Sequence, residues 1–263
     1  MDELRRLDRQ ITNLQARYDS TLAFKDQPFV PTVANLDDVR DEIARAQKAV
    51  PAGAQSPVAE ALSFHFDETL TGLKARVDSD QAFPDRFVSG IMRRVNAQIS
   101  LDTPAPETRL KTLQALLDQS PAILEAAAQL GTAVPEARRN MLLKTLAGLS
   151  GFVANITPAM QQAFGSVEPD ALNRASQGLE NLVKKSADVA ATLTAHPLPA
   201  AGKAYTGPDY EATMRDIYGI PLSTLVAWHR DEVELCHERL YAAAREYDPK
   251  RDPFDILQTD IGP

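Results

Sequence analysis

Apolar residues recur along this chain at the three- and four-residue intervals of an α-helix. The first segment shows the pattern clearly, in an apolar stripe formed by Leu4, Leu7, Ile11, Leu14 and Tyr18. This heptad-like stripe, which lies between Asp2 and Lys25, needs a partner that covers it. Sustained two-residue alternation and Asn-Gly or Asp-Gly turns are missing, so strands are not expected.

Proline and glycine mark the predicted ends of the later helices. These helices are predicted over 36–50, 57–77, 83–101, 109–131, 135–165, 170–195, 208–219 and 221–247. Ser120-Pro121 and Thr157-Pro158 are expected to start new helices inside two of these ranges, since proline is favoured in a first helical turn. About ten helices with short connections predict an all-α multi-helix bundle. We expect a single domain over 1–263, with a possible subdivision near 102–107.

Charge and composition limit the partners of this chain. A net charge of -8 and a pI near 5.1 argue against nucleic acid, which attracts basic surfaces. No apolar run approaches the roughly 20 residues that span a bilayer, and the charged start MDELRRLDRQ is unlike a signal peptide. Neither membrane insertion nor export is therefore expected, and a cytoplasmic location is the default. The single cysteine excludes an intramolecular disulfide.

The last predicted helix carries the densest set of reactive side chains. His229, Glu232 and Cys236 lie on successive turns, where they could act as metal ligands or as a tuned acid-base group. The alternative is a core histidine and a cysteine used as a small apolar residue, because both fall in the apolar stripe of this helix. His237 begins HERLY, which resembles a zinc-protease HExxH except that Tyr241 replaces the second histidine. No cofactor is predicted within this chain.

Other polar residues have ordinary structural explanations. His65 lies beside acidic residues on a predicted surface helix, and His196 follows a helix whose C-terminal dipole favours a cation. The arginine pairs at 93–94 and 138–139 could clamp an anion, but such pairs usually form a solvated helix face. A pocket between Leu-rich helix faces could also bind a hydrophobic ligand. There is no GxSxG, P-loop or dinucleotide fingerprint.

Three segments together resemble a known family. They are RLKTLQALLDQSPAILEAAAQL, RASQGLENLVKKSADVAATL and GKAYTGPDYEATMRDIYGIPLSTLVAWHRDEVELCHERLYAAA. From about Arg109 to Pro253 the chain is similar to the amino-terminal half of bacterial proteins in domain-of-unknown-function family 885. The resemblance is strongest from Gly202 to Leu240. It implies a mostly helical, zinc-peptidase-like protein, close to double this length, whose catalytic half carries an HExxPGHH-type motif.

The resemblance implies that this chain is the N-terminal part of a longer protein or a separate noncatalytic subunit. Zinc would then belong to the missing catalytic half, where metal-activated water attacks a carbonyl with a glutamate as general base. This chain alone is not expected to be an enzyme. It would shape the substrate cleft or hold the catalytic half, which would face the last helix and the loop Pro197 to Pro208. An apolar patch should then be exposed there.

Two other hypotheses remain open. The chain could be a stand-alone helical interaction module that forms a homo-oligomer through its first helix, so that Asp at Leu7 and Leu14 would abolish self-association. It could also be a complete small metal protein centred on His229, Glu232 and Cys236. The sequence does not distinguish among substrates, pathways or oligomeric states.

Overall fold

The computed structural model describes residues 2–18, 29–51, 56–200, 202–206, 211–212, 215, 219–257 and 259. These residues form nine α-helices and no strand, which confirms the all-α prediction. The helices are α1 (Asp2–Tyr18), α2 (Val33–Ala49), α3 (Pro57–Ala82), α4 (Asp85–Ser100), α5 (Pro106–Gly131), α6 (Glu136–Phe164), α7 (Pro169–Ala195), α8 (Leu222–Tyr247) and α9 (Pro253–Ile256). The helix predicted over 208–219 falls largely outside the described residues. No described helix is both long and apolar enough to cross a membrane.

The chain groups into two compact units, Met1–Pro208 and Asp209–Pro263. In the first unit α1, α2 and α3 pack against one another, and α4 to α7 form a second packed group. One hydrophobic core draws residues from all seven of these helices. The helices on either side of the 102–107 connection, α4 and α5, pack directly on each other.

The apolar stripe of α1 is covered inside its own chain. Leu7 and Leu14 are each only 4% exposed, and α1 packs against both α2 and α3. The stripe is therefore part of the core and is not free to bind a second copy. The expectation that Asp at these positions would test self-association is wrong, since a buried charge there would instead destabilise the fold.

The two internal prolines lie within continuous helices, contrary to the sequence prediction. Pro121 lies inside α5 and Pro158 inside α6. The residue before each proline donates its hydroxyl to the carbonyl four positions earlier, at 2.8 Å for Ser120 and 2.7 Å for Thr157. Core residues flank both sites, namely Leu116, Leu117, Ile123 and Leu124 around Pro121, and Val153, Ile156 and Met160 around Pro158. This burial offsets the backbone hydrogen bond that each proline removes, a loss of about 3 kcal/mol.

Arg139 joins the ends of two helices. It lies in the first turn of α6, is 4% exposed, and reaches carbonyls at and just beyond the C-terminal ends of the helices before and after it. Its Nε and Nη2 donate to Gly131 O and Thr132 O at the end of α5, both at 3.2 Å. Nη1 and Nη2 donate to His196 O at 2.8 Å and Pro197 O at 3.0 Å, beyond α7. Antiparallel packing makes this possible because it places the start of α6 beside both C-terminal ends.

The interpretation of the paired arginines as solvated faces is wrong for one member of each pair. Arg94 is 6% exposed and Arg139 is 4% exposed, so both belong to the interior. Helix C-terminal carbonyls lack intrahelical donors and carry partial negative charge, which makes a buried guanidinium a suitable partner. Sequence spacing alone does not show which helix end will lie next to an arginine.

Arg109, in the first turn of α5, uses the same principle. Its Nε donates to Pro104 O at 3.0 Å, and its Nη1 donates to Gln98 O near the end of α4 at 2.7 Å. Its guanidinium also lies 5.1 Å from the ring centre of Phe164. The contact between α4 and α5 is thus closed at this end by one buried cation.

Arg138 fastens the loop that follows α7. Its Nη1 donates to Thr206 O at 2.7 Å and to Ala82 O at 3.3 Å, while its guanidinium lies over the Phe83 ring at 4.0 Å. Tyr205 N donates to a further carbonyl, Ala133 O. The described part of this loop is therefore bound to the helical bundle.

We expect Arg139→Ala to lower the free energy of unfolding by about 3 kcal/mol, since buried carbonyls of two helix ends lose a charged donor. Arg139→Lys should restore only part of this loss, because a single ammonium group cannot match the planar guanidinium fork. Urea unfolding followed by circular dichroism measures both changes.

Arg174→Ala is the matched control, since Arg174 is an exposed arginine on α7. It should change the free energy of unfolding by less than about 0.5 kcal/mol. Equal effects at the two positions would contradict the role assigned to Arg139.

Candidate interaction surface on α8

The helix α8 extends from Leu222 to Tyr247 without an internal proline or glycine. It begins directly after Pro221, and its end is marked by Asp248, whose backbone N–H still donates to Ala244 O. The short helix α9 packs against α8 and is capped by Asp252, whose side chain accepts from Phe254 N at 2.8 Å. This second unit has a small core that includes Ala244 and Ile256.

A seam of apolar and small residues is exposed along α8. We define the seam as Val226, His229, Val233, Cys236, Leu240, Ala243 and Tyr247, which repeat at three- and four-residue intervals. All seven are exposed, with Val226 at 49%, Val233 at 54% and Leu240 at 49%. The periodicity therefore placed these side chains on one face, as predicted, but that face is not covered by the described residues.

The alternative interpretation of His229 and Cys236 as core residues is wrong. Both side chains are exposed on the seam. The helical period determines which side chains share a face, whereas burial of the face requires a second surface packed on it. For α8 this second surface is not among the described residues, so His229 and Cys236 face the solvent.

A second apolar surface lies on another side of α8. We define the ridge as Trp228 and Leu235, which are seven positions apart and are 58% and 38% exposed. With 100° of rotation per residue, the ridge lies about 160° around the helix from Val226 and Val233. A helix that is apolar on opposite sides is ordinarily buried on both. The apolar surface of α8 thus favours an interaction role.

The metal-ligand candidates do not form a metal site by themselves. Glu232 and Cys236 approach each other, with Cys236 Sγ 3.9 Å from Glu232 Oε1, and His229 lies on the preceding turn. Within the described part of the chain there is no group of three His, Cys, Asp or Glu side chains that could hold a metal ion. Among these residues, the ligand set does not fit the three- or four-ligand shell of a zinc site.

A polar cluster that sequence reasoning missed lies between α1, α3 and α4. Tyr18, which closes the apolar stripe of α1, donates its hydroxyl to Asp80 Oδ2 at 2.9 Å. Asp80 Oδ1 accepts from Arg86 Nη1 at 3.0 Å. Burial raises the pKa of Tyr18 far above its usual value, and the nearby Asp80 carboxylate adds to this rise. Tyr18 therefore stays protonated and serves the core as a hydrogen-bond donor.

A second pair of charges supports the same region. Arg40 on α2 binds Asp78 on α3, with Nε 2.7 Å from Oδ1. Burial disfavours the charged guanidinium, but the hydrogen bond to Asp78, the charge of Asp78 and the hydrogen bond to Asp37 together outweigh it, and the pKa of Arg40 is raised. The sequence offered one signal for this region, namely the two acidic residues Asp78 and Asp80 on α3, a helix that also carries apolar residues. The partners lie on other helices, which the sequence does not reveal.

A cavity of about 320 Å³ lies between α5 and α7. Ala128, Val189 and Leu193 form its apolar side, and the ion pair of Glu125 with Lys185 lies at its rim. It fits the expected position of a hydrophobic-ligand pocket between helices. The charged residues at the rim and the apolar residues on one side of the cavity do not indicate a class of ligand.

The chain matches no family model, no curated protein and no solved structure. The resemblance to family 885 stays a prediction from the residues quoted above.

We expect the stability of the fold to decrease above about pH 10, where tyrosine ionises in the unfolded chain but Tyr18 in the fold does not. A folded-state pKa raised above the unfolded value means that the folded chain retains the proton, so stability is complete below pH 10 and is lost above it. One such group contributes up to about 1.4 kcal/mol per pH unit. Tyr18→Phe should remove this contribution to the slope of the free energy of unfolding against pH. Urea titrations between pH 8 and pH 11 measure it.

Tyr241→Phe is the control, because Tyr241 lies on α8, outside both the seam and the hydrophobic core that includes Tyr18. The control should keep the slope of the unmodified chain. A slope that is the same in Tyr18→Phe and in the unmodified chain would show that Tyr18 is not held protonated by the core.

Proposed function

We propose that this chain is the noncatalytic helical part of a metallohydrolase- or peptidase-like protein and that α8 holds the catalytic half. One observation carries the proposal: α8 exposes apolar side chains on opposite sides, the seam and the ridge. The resemblance to family 885 independently led to the expectation of an exposed apolar patch on this helix. Contiguous apolar surface of this kind marks an interaction site in a folded protein.

The ridge is the part of α8 that best suits the catalytic half. Trp228 is the chain's single tryptophan and is more than half exposed. Tryptophan is enriched among the residues that contribute most to protein interfaces, because its large ring buries much apolar area with few rotatable bonds. Leu235 extends the ridge by two turns. Together they form an apolar anchor suited to a groove on a partner.

This chain and the catalytic half would have different roles, because they carry different side chains. The first unit supplies a packed bundle whose helix ends are closed by arginine, which suits a rigid support. The described residues of this chain do not fit a zinc site, since Tyr241 stands where HExxH needs its second histidine. No step of the hydrolysis is therefore assigned to them. Metal-activated water and a glutamate base would belong to the catalytic half.

The second candidate function is a stand-alone helical interaction or oligomerisation module. The exposed heptad spacing of the seam favours it. The first helix cannot serve this function through its apolar stripe, because that stripe lies in the core. The oligomerising surface, in this alternative, is α8.

We expect the natural protein to have a mass close to double the 28.7 kDa of this chain, or to hold a zinc-bearing subunit, with zinc in stoichiometric amount. Intact-mass measurement and metal analysis of protein purified from its source test this. A natural protein with the mass of this chain, without zinc and without a zinc-bearing subunit, would overturn the proposed function.

We expect Trp228→Glu to weaken binding between this chain and the zinc-bearing half by about thirty-fold or more, the effect of losing an interface anchor. The binding constant of the separately produced halves measures the loss. Ala227→Glu adds the same charge to an exposed position on another side of α8 and should leave binding unchanged. Equal losses in both variants would exclude the ridge as the binding surface.

A further inference from the structure

The seam of α8 has the spacing of a coiled coil. Taking Val226 as position a of a heptad places Val233, Leu240 and Tyr247 at the same position, while His229, Cys236 and Ala243 occupy position d. The repeat is unbroken from Val226 to Tyr247, and each of its members is exposed. Seam residues of a coiled coil are covered when a second helix packs on them.

Two opposite charges flank this seam at the heptad position that faces a partner helix. Glu232 and Arg239 both occupy position g, seven residues apart, and Glu246 repeats this position near the end of α8. Neither has an oppositely charged Asp, Glu, Lys or Arg three or four positions away on α8, where intrahelical ion pairs form. The spacing therefore suits these charges to pairing with another helix.

We propose that the seam binds the seam of a second copy of this chain, with the two α8 helices antiparallel. In the register that fits best, Val233 packs against Cys236 of the second copy, Leu240 against His229, and Val226 against Ala243. The same register places Glu232 beside Arg239 of the second copy. Two-fold symmetry repeats this ion pair, so Glu232 and Arg239 of each copy are both paired, while Glu246 lies outside the ion pairs near the end of α8.

Other arrangements lose this charge complementarity. An antiparallel shift of one heptad in one direction places Arg239 opposite Arg239, and a shift in the other direction places Glu232 opposite Glu232. A parallel pair sets His229 against His229 in the core and leaves Arg239 beside Ala244. Like charges at the flanking positions, or the loss of the ion pair between Glu232 and Arg239, disfavour these arrangements. The charge pattern thus selects a second copy in one orientation.

The ridge remains open in such a dimer. Trp228 lies on the side of α8 away from Val226 and Val233, so a different partner can bind there while the seam is occupied. The inference goes beyond the proposed function and does not depend on it. A monomeric chain would overturn the dimer only, and a zinc-free natural protein of this mass would overturn the proposed function only.

Sedimentation equilibrium of the full chain tests the proposal. We expect a dimer of 28.7 kDa subunits, in which the packed seam protects Cys236, the only cysteine of the chain, from reaction with a maleimide. Glu232→Arg and Arg239→Glu should each weaken the dimer about tenfold, since two exposed ion pairs become two repulsive contacts. The double variant Glu232→Arg with Arg239→Glu should regain the original dissociation constant, because the pairs re-form with reversed sign.

Glu234→Arg and Arg245→Glu serve as controls, since both change charge at exposed heptad positions outside the seam and its flanks. They should leave the dissociation constant unchanged, and circular dichroism should show the same helix content in all variants. A chain that is still monomeric at about 100 μM, which is 100 times a micromolar dissociation constant, overturns the proposal. So does a dimer in which Cys236 reacts with a maleimide as fast as it does in the unfolded chain, or a double variant that stays as weak as the single ones.

Discussion

The bundle of the first unit depends on pairing the carbonyls at helix ends with buried arginines. The last carbonyls of a helix have no intrahelical donor, and leaving such groups buried without a partner costs free energy. Arg139 meets this constraint for α5 and α7 together, and Arg109 meets it at the end of α4. Both arginines lie in first turns, beside C-terminal ends that antiparallel packing brings close. The packing of α4 to α7 and the burial of these cations therefore stabilise each other.

In the second unit, by contrast, apolar side chains of the long helix remain uncovered. Its long helix α8 carries as much apolar character as a core helix, yet the seam and the ridge are exposed. Apolar surface of this kind gains free energy when another surface covers it, at about 25 cal/mol per Å² buried. Apolar side chains stabilise the first unit from within, whereas on α8 they are available to bind another surface. The exposed helix has two such sides, which under the two proposals would bind a catalytic half and a second copy at the same time.

The reactive side chains of α8 show which structural properties helical periodicity can predict. Periodicity predicted the shared face of His229 and Cys236 correctly, because 3.6 residues per turn is a property of the backbone. It did not predict their exposure, since burial depends on whether another element packs on that face. Tyr18 and Asp80 show the converse, because 62 positions of sequence separate two side chains whose oxygens are 2.9 Å apart. A contact of this kind is decided by the path of the chain between its partners.

The sequence by itself determined the helical class, the approximate ends of most helices and the apolar faces of α1 and α8. These properties are local, since they follow from the period of the backbone and from where proline and glycine stand. Only the tertiary structure decided that Pro121 and Pro158 lie within continuous helices, because burial on both sides of each proline offsets its lost hydrogen bond. It also decided that Arg139 is a core residue and that the stripe of α1 is covered while the seam of α8 is open. Burial is a relation between elements, and no single segment contains it.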